Sequence, residues 1–360
     1  MRVKSWLNGS AYTVRLPIGC RHCARGGKLV LLVTGRCDSG CYYCPLSLEK
    51  RGRDLVFADE MKVESDEDIF EEAESIDATG TGITGGDPLK DASETARLIR
   101  LLKDRLGDGH HIHLYTSTAD SSSIDIVIRA GLDEIRFHPP MRSWSRLENG
   151  PFERVFRLCS DSGLDVGMEI PVIPGMKKET MHLLEYAECA GLSFVNLNEL
   201  EFSESNWRAL RKRGLGVRDD VSSAVKGSER LAIELIRDGP RNVPIHYCSS
   251  SFKDGVQLRR RIMRRARNVR RALDILTEDG TLLFGVIEGS DPEFVAEELK
   301  KRYPVPRYLL SVNRVKNRVE IASWILEEIG AELEWDSFII EEYPTADRLE
   351  VERERILRRR

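Results

Sequence analysis

Three cysteines fall on one short segment, Cys37-Asp-Ser-Gly-Cys41-Tyr-Tyr-Cys44-Pro, directly after the apolar run from Lys28 to Thr34. The spacing C-x3-C-x2-C presents three thiolates from a single loop. Three thiolates can hold three irons of a [4Fe–4S] cluster, whereas a cluster that only carries electrons usually takes four cysteines. The fourth iron is then open to a ligand. Two other chemistries fit less well. Structural zinc wants four ligands, usually from two separated pairs, and this run has an odd number. A disulfide role needs an oxidising compartment, and Met1–Leu16 lacks the apolar core of a secretory signal.

Further along, Gly80-Thr-Gly-Ile-Thr-Gly85-Gly86-Asp87-Pro88-Leu89 reads as a short strand that ends in a Gly-Gly-acid-Pro turn. Two glycines let the backbone approach a ligand closely. Their free amide and carbonyl groups can bond the amine of a zwitterion. Gly85, Gly86, Asp87 and Pro88 are therefore candidate cofactor-binding residues.

These motifs must be held by a scaffold, and the rest of the chain supplies a pattern for one. The 360 residues are 41% hydrophobic and 32% charged, which suits a globular protein. The net charge of −4 does not by itself mark a nucleic-acid binder. No apolar run approaches the length of a membrane-spanning helix, and eight cysteines without an export signal suit metal ligation in a reducing cytoplasm. Short apolar runs read as strands at Leu29–Thr34, Ala78–Thr84, Ile112–Thr116, Glu134–His138, Asp165–Ile173, Phe194–Leu200 and Pro244–Tyr247. Between several of them lie helical patterns, among them Asp66–Ser75, Ala92–Leu106, Asp120–Ala130, Phe152–Ser162, Lys177–Ala190 and Ser228–Asp238. Repeated β-α alternation implies a parallel sheet. The expected fold is α/β, a partial (β/α)6 TIM-like barrel over residues 28–255. Functional residues of parallel barrels gather at the C-terminal ends of the strands. The cysteine loop follows the first strand and the Gly-Gly-Asp-Pro turn the second, so both land on one rim.

The same rim collects further candidates. Thr116 and Ser117 end the third strand, and Ile173 and Gly175 follow the fifth. Asn196 and Asn198 share one face of the sixth strand. Polar groups inside a barrel need partners, so both asparagines are candidate ligand contacts. His138 reads more readily as a structural histidine.

Two features lie outside that rim. Cys20 and Cys23 sit in a short extension, residues 1–27, ahead of the first strand, and Cys248 follows the last. Were they to converge, they would offer a second metal site: zinc with His22 or His246 as fourth ligand, or an auxiliary Fe–S cluster on three thiolates. Cys159 and Cys189 fall in helical patterns and read as core. Residues 256–275 carry a helix with eight arginines between Arg259 and Arg271. One reading is phosphate contact with RNA or a nucleotide. The other, favoured here because no aromatics interleave, is a solvated helix paired with acids. Beyond it, residues 276–345 read as a small α/β domain ordered β-α-β-α-β, with Arg318–Ile329 a helix. Residues 346–360 read as a charged, solvated helical tail.

The chain as a whole resembles the radical S-adenosylmethionine (SAM) superfamily, and within it a group of mainly archaeal proteins related to pyruvate formate-lyase activating enzyme. The resemblance rests on Cys20-x-x-Cys23, Lys28–Pro45, Gly85–Pro88, Asn196–Glu201 and His246–Asp254. It implies a [4Fe–4S] cluster on Cys37, Cys41 and Cys44, with SAM chelating the open iron. Tyr43 fits the family's aromatic position before the third cysteine. The Gly-Gly-acid-Pro turn would hold the methionyl amine, and Asp87 departs from the usual Glu. Ile173 and Gly175 loosely match an apolar residue and a glycine that pack against adenine. The implied chemistry is reductive cleavage of SAM to a 5′-deoxyadenosyl radical that abstracts hydrogen from a substrate in the barrel. Its electron would come from a donor of ferredoxin or flavodoxin type. The enzyme would be an oxidoreductase or a transferase. Candidate substrates are a glycyl-radical enzyme, RNA or a nucleotide, or another protein or small molecule. The contrasting class is a non-catalytic Fe–S electron-transfer or metal-binding scaffold, against which the Gly-Gly-Asp-Pro turn argues.

Overall fold

The computed structural model describes residues 3–219 and 222–358. The chain divides into two compact units. One comprises the residues through Glu74 with Ala78–Leu258, the other Ser75–Asp77 with the chain from Arg259 onward. Among the described residues no helix is long and apolar enough to cross a membrane.

Seven strands of the first unit run parallel: β1 (Lys28–Leu32), β2 (Gly80–Thr84), β3 (His111–Thr116), β4 (Glu134–Phe137), β5 (Asp165–Val172), β6 (Phe194–Glu199) and β7 (Ile245–Cys248). They pair in sequence order. This is the topology expected when each strand is followed by a helix that returns the chain. Short antiparallel pieces extend both ends of the sheet. The N-terminal hairpin Lys4–Ser5/Ala11–Tyr12 pairs with β7, and Phe57–Ala58/Met61–Lys62 pairs with β1. Among the described residues no strand joins the two ends, so the barrel is open.

Strand alternation sorts the two faces. In β3, Ile112 and Leu114 are fully buried under the helices, while His111, His113 and Tyr115 take the opposite face. In β4, Ile135 and Phe137 pack outward, and Glu134 and Arg136 turn inward. Glu169, Asn196, Asn198 and His246 join them. The inner face of this sheet is therefore polar, and the apolar core lies between sheet and helices.

The N-terminal extension is an integral part of this unit. Its helix α1 (Ile18–Arg25) lies inside the curve of the sheet, against the first residues of the strands. The Gly19 amide donates to Glu134 Oε2 at 3.2 Å, where the positive end of a helix meets a carboxylate. A Cβ on Gly19 would stand 2.6 Å from Arg136 Nη2 and 2.8 Å from His113 Nδ1. Only glycine fits that approach.

The second unit departs from the expected β-α-β-α-β order. Its sheet is antiparallel throughout, with β8 (Leu282–Glu288), β9 (Leu310–Asn313), β10 (Arg318–Ile321), β11 (Asp336–Glu342) and β12 (Glu350–Arg355) in the order β9-β10-β8-β11-β12; Ile275–Leu276 adds to β8. Helix α2 (Pro292–Arg302) connects β8 to β9. Arg318–Ile321 is a strand, and only Ser323–Ile329 (α3) is helical. The cause is a hairpin turn: Asn313 Oδ1 accepts from the Lys316 amide, and Asn317 takes φ 48°. Val319 and Ile321 then enter the core, while Arg318 and Glu320 pair in the opposite buried layer. The charged tail is a strand as well. Arg353 reaches Glu288 and Glu350, and Arg355 reaches Asp336. Alternating charges on an edge strand stabilise pairing with the sheet and deter pairing with other chains.

The arginine helix (Arg259–Val269) is committed within this unit. Arg264 donates to the carbonyls of Ile76 and Asp77, Arg265 to Ser75 and the Pro344 carbonyl, and Arg259 pairs with Asp279. Arg271, just beyond the helix, pairs with Asp274 and Glu320. These four arginines are held by acids, carbonyls or Ser75, as the paired-helix reading expects, while Arg267 and Arg270 are exposed.

Candidate functional site

Cys37, Cys41 and Cys44 lie on the loop leaving β1, beyond the C-terminal ends of the parallel strands. All three are free thiols; Cys37 is exposed and the other two half-buried. The Ser39 amide donates to Cys37 Sγ at 3.4 Å. The Cys44 amide closes a tight turn onto the Cys41 carbonyl. Burial raises the Cys41 thiol, a Tyr43 hydrogen bond opposes it, and Cys37 and Cys44 are near enough to raise it further. Three adjacent thiols, each with a face open or half-open, fit a cluster in which each cysteine takes a different iron. Among the described residues no group of three or more His, Cys, Asp or Glu is arranged to hold a single metal ion.

The Gly-Gly-Asp-Pro turn packs directly on the stem of that loop. The Gly86 amide donates to the Thr34 carbonyl at 2.7 Å and the Asp87 amide to the Arg36 carbonyl at 2.8 Å. A Cβ on Gly85 would lie 2.3 Å from the Thr34 carbonyl oxygen, and one on Gly86 2.3 Å from that of Arg36. The glycines are thus required by the approach of two backbones. Pro88 is buried and opens a single 3-10 turn capped by Asp87.

Asp87 belongs to the turn read as cofactor-binding through its backbone, and its carboxylate is engaged by the protein. Oδ1 accepts from the Leu89 amide and Thr116 Oγ1. Oδ2 accepts from the Ser117 amide, Ser117 Oγ and Thr118 Oγ1. Five donors fill the acceptor capacity of a carboxylate. Thr116 and Ser117 likewise serve Asp87. Ser39 Oγ donates to Ser117 Oγ at 2.6 Å, so the cysteine loop, the β2 turn and the end of β3 form one bonded assembly. A polar cavity of about 380 Å³ opens beside it, lined by Asp38, Ser39, Asp87, Lys90, Ser117 and Arg142 among others.

On the other side of the loop stands His138. Its Nδ1 lies 2.9 Å from the Glu169 carbonyl oxygen, which only an N–H can satisfy. Nε2 is therefore the acceptor for the buried Tyr43 hydroxyl, at 2.9 Å, and lies 3.8 Å from Cys41 Sγ. Burial lowers the imidazole below its ordinary value, opposed by the Glu169 carbonyl hydrogen bond. Sequence reasoning had Tyr43 as a site residue but not its histidine partner.

Deeper in the barrel, Arg136 bridges Glu134 at 2.5 Å and Glu169 at 2.8 Å. Asn196 and Asn198 also donate to Glu169. Burial is the largest single effect and works to raise the Glu169 carboxyl, but Arg136 and the two asparagines together outweigh it and hold it at about 2. Asn196 further reaches Cys20 Sγ at 3.3 Å. Both asparagines are thus committed to the lumen network rather than left free at the rim. Ile173 is buried, whereas Gly175, with φ 91°, has open space around it.

Cys20, Cys23 and Cys248 are all buried, within electrostatic reach of one another. Their sulfurs are nevertheless engaged separately: Cys20 by Asn196 and Arg136, Cys23 by Lys28, Cys248 by Gln257. His22 bonds Thr79 and His246 bonds Asn196. Burial pushes the Cys20 thiol up to about 11 even beside Arg136. Of the two remaining cysteines, Cys159 is core as expected, but Cys189 is exposed, at the last turn of its helix.

A parallel open barrel with three cysteines after its first strand defines an α/β fold of the radical SAM type. A family model described as the radical SAM superfamily matches residues 31–187, and a second, a domain of unknown function (DUF8061), matches 280–356. A protein of Methanocaldococcus jannaschii, "Putative glycyl-radical enzyme activating enzyme MJ0021", is 38% identical over 94% of this chain and 92% of its own length. The chain belongs to the radical SAM superfamily. Membership implies a [4Fe–4S] cluster and SAM as cofactors of an enzyme. Solved structures with a similar trace include Streptococcus suis SuiB bound to S-adenosylmethionine (11% identity, 62% of this chain and 50% of that one, TM-score 0.42). Another is a radical SAM methyltransferase from Sphaerobacter thermophilus (17% identity, 68% and 70%, TM-score 0.42).

Proposed function

We propose that this chain is a SAM-cleaving radical enzyme whose cluster is held by Cys37, Cys41 and Cys44, and whose substrate is a polypeptide of the glycyl-radical enzyme class. The observation that carries the reading is the bonded assembly at the rim: three accessible thiols on a loop locked to the Gly85–Pro88 turn. When bound, cluster and SAM supply a 5′-deoxyadenosyl radical able to take a hydrogen atom from a substrate carbon. The protein's share is positional. Asp87, through Ser117 and Ser39, fixes the cysteine loop against the turn. The backbone around Gly85 and Gly86 would offer carbonyl oxygens to the amine of SAM, and Lys90 and Arg142 in the cavity would offer cationic groups to its carboxylate. Tyr43 and His138 wall the loop on its inner side, where shielding from water protects a radical. The substrate class rests on the name of the M. jannaschii relative alone.

The test is anaerobic reconstitution with iron and sulfide, reduction with dithionite, and measurement of 5′-deoxyadenosine from SAM. Product that disappears in Cys37→Ala supports the reading. An intact, reducible cluster without product returns the scaffold alternative. About four irons per chain correspond to one cluster and about eight to two; the higher count would restore Cys20, Cys23 and Cys248 as ligands.

A further inference from the structure

One hydroxyl on the inner side of the cysteine loop has two acceptors within reach. The oxygen of buried Tyr43 lies 2.9 Å from His138 Nε2, and the Cys41 sulfur is its other hydrogen-bonding neighbour. His138 Nε2 itself stands 3.8 Å from Cys41 Sγ. Hydroxyl, imidazole and sulfur form a triangle with a single phenolic proton to place. The state of the ring decides where that proton goes.

The ring is fixed from behind. His138 follows β4, and its amide donates to the Thr116 carbonyl at 2.7 Å. Pro139 and Pro140 come next, which narrows the backbone's freedom there. The indole of buried Trp144 donates to the Pro139 carbonyl at 2.8 Å. His138 Nδ1 lies 2.9 Å from the Glu169 carbonyl oxygen, a group that can only accept. That contact puts the ring proton on Nδ1 and leaves Nε2 as a bare lone pair. Sulfur is the weaker acceptor of the two, so the imidazole draws the Tyr43 proton away from Cys41. Hydrogen bonds to ligand sulfurs are one of the levers that set the reduction potential of an Fe–S cluster. A donor at the sulfur offsets negative charge and makes reduction easier.

We infer that His138 is a positioning residue that withholds the Tyr43 proton from the Cys41 sulfur and so keeps a cluster on Cys37, Cys41 and Cys44 strongly reducing. The inference rests on the cluster assignment made above. The Glu169 carbonyl is part of the device, because it selects the tautomer that accepts from Tyr43.

The experiment reconstitutes wild type, His138→Phe, Tyr43→Phe and the double variant anaerobically with iron and sulfide. The midpoint potential of each is followed by electron paramagnetic resonance during a redox titration without SAM. His138→Phe frees the Tyr43 hydroxyl to donate to Cys41. Its potential should rise by the equivalent of at least about tenfold in the equilibrium constant for reduction, about 59 mV for one electron. Tyr43→Phe takes no hydrogen bond from the sulfur and should stay near wild type. The double variant should return to the wild-type value, since the proton behind the rise is gone. That return separates proton placement from any change in packing or solvent access at position 138. His138→Gln, whose amide can donate to the Glu169 carbonyl and accept from Tyr43, should also stay near wild type. A fall in Tyr43→Phe, an unchanged His138→Phe, or a rise that persists in the double variant would overturn the proposal. If His138→Phe takes up no iron, nitrogen NMR of the histidine rings in the cluster-free wild type decides: a bare Nε2 on His138 is expected, and a protonated one overturns the proposal. If the wild type takes up no iron, the cluster assignment fails and this inference falls with it; a cluster without these shifts sinks the inference alone.

Discussion

Asp87 and Ser117 are joined twice, by the Ser117 amide and by its hydroxyl, both donating to one carboxylate oxygen of Asp87. That pair connects the turn after β2 to the end of β3, and through Ser39 to the cysteine loop. Asp87 is therefore a positioning residue. Asp87→Asn retains the shape but replaces an acceptor oxygen with an NH2 group facing other donors. Hydrogen bonds to a charged group contribute about 1.5–3 kcal/mol each. The expected outcome is a lower Tm and poorer iron retention after reconstitution. Unchanged iron content and Tm in Asp87→Asn would show that the carboxylate is not the anchor.

Gly86→Ala tests the backbone approach itself. The added Cβ would meet the Arg36 carbonyl oxygen at 2.3 Å, so the stem of the cysteine loop must move. Overpacking of this kind costs about 1–3 kcal/mol, and iron binding should fall with it. Gly109→Ala, where nothing lies within 4 Å of the new Cβ, is the control and should behave as wild type.

The lumen network predicts a large stability effect. Arg136→Met removes the cation shared by Glu134 and Glu169 and leaves both carboxylates buried. Breaking a buried pair on one side costs about 3–5 kcal/mol. Urea unfolding of the variant should show a midpoint shifted down accordingly; a midpoint near that of wild type would mean that water or α1 movement replaces Arg136.

Acid sensitivity should come in two windows. His110, hydrogen-bonded to Thr81, is lowered from 6.5 to about 4 by burial, aided by Lys103. The unfolded chain takes up this proton first, so its contribution is complete above pH 6.5 and is lost progressively toward pH 4. Glu169 is held at about 2 against an ordinary value of 4.5, so its contribution is complete above pH 4.5 and disappears toward pH 2. His22, lowered to about 4, and His246, lowered to about 3, act in the same direction as His110, so unfolding free energies across pH 2–7 should show His110→Gln reducing, not abolishing, the slope of the upper window and Glu169→Gln reducing that of the lower. Parallel profiles for all three proteins would count against both assignments.

Much of the barrel could be read in the sequence because its signals are local. Ile112 and Leu114, or Ile135 and Phe137, announce strands by alternation, and Cys37, Cys41 and Cys44 announce a site by spacing. What escaped was whatever depends on another strand. Asp87 looks like a free ligand in its own segment; that Thr116, Ser117 and Thr118 fill its lone pairs is decided by the β2–β3 register. Nothing in the Glu134–His138 segment reveals the partnership of Arg136 and Glu134 with Glu169, because it spans β4 and β5. In the second unit, Arg318 and Glu320 masked a strand because both are buried as a pair, a choice that Arg271, Asn313, Glu342 and Glu350 make tolerable. The acidic and basic tail residues were equally compatible with a helix until Glu288 and Asp336 supplied partners.

Helix α1 has one more consequence. Gly19 is wedged against Arg136 and His113, and its amide is held by Glu134, so the N-terminal segment is keyed into the same charged network that Glu169 joins. A lesion in that distant helix would thus be felt across β3, β4 and β5 before it reached the rim thiols.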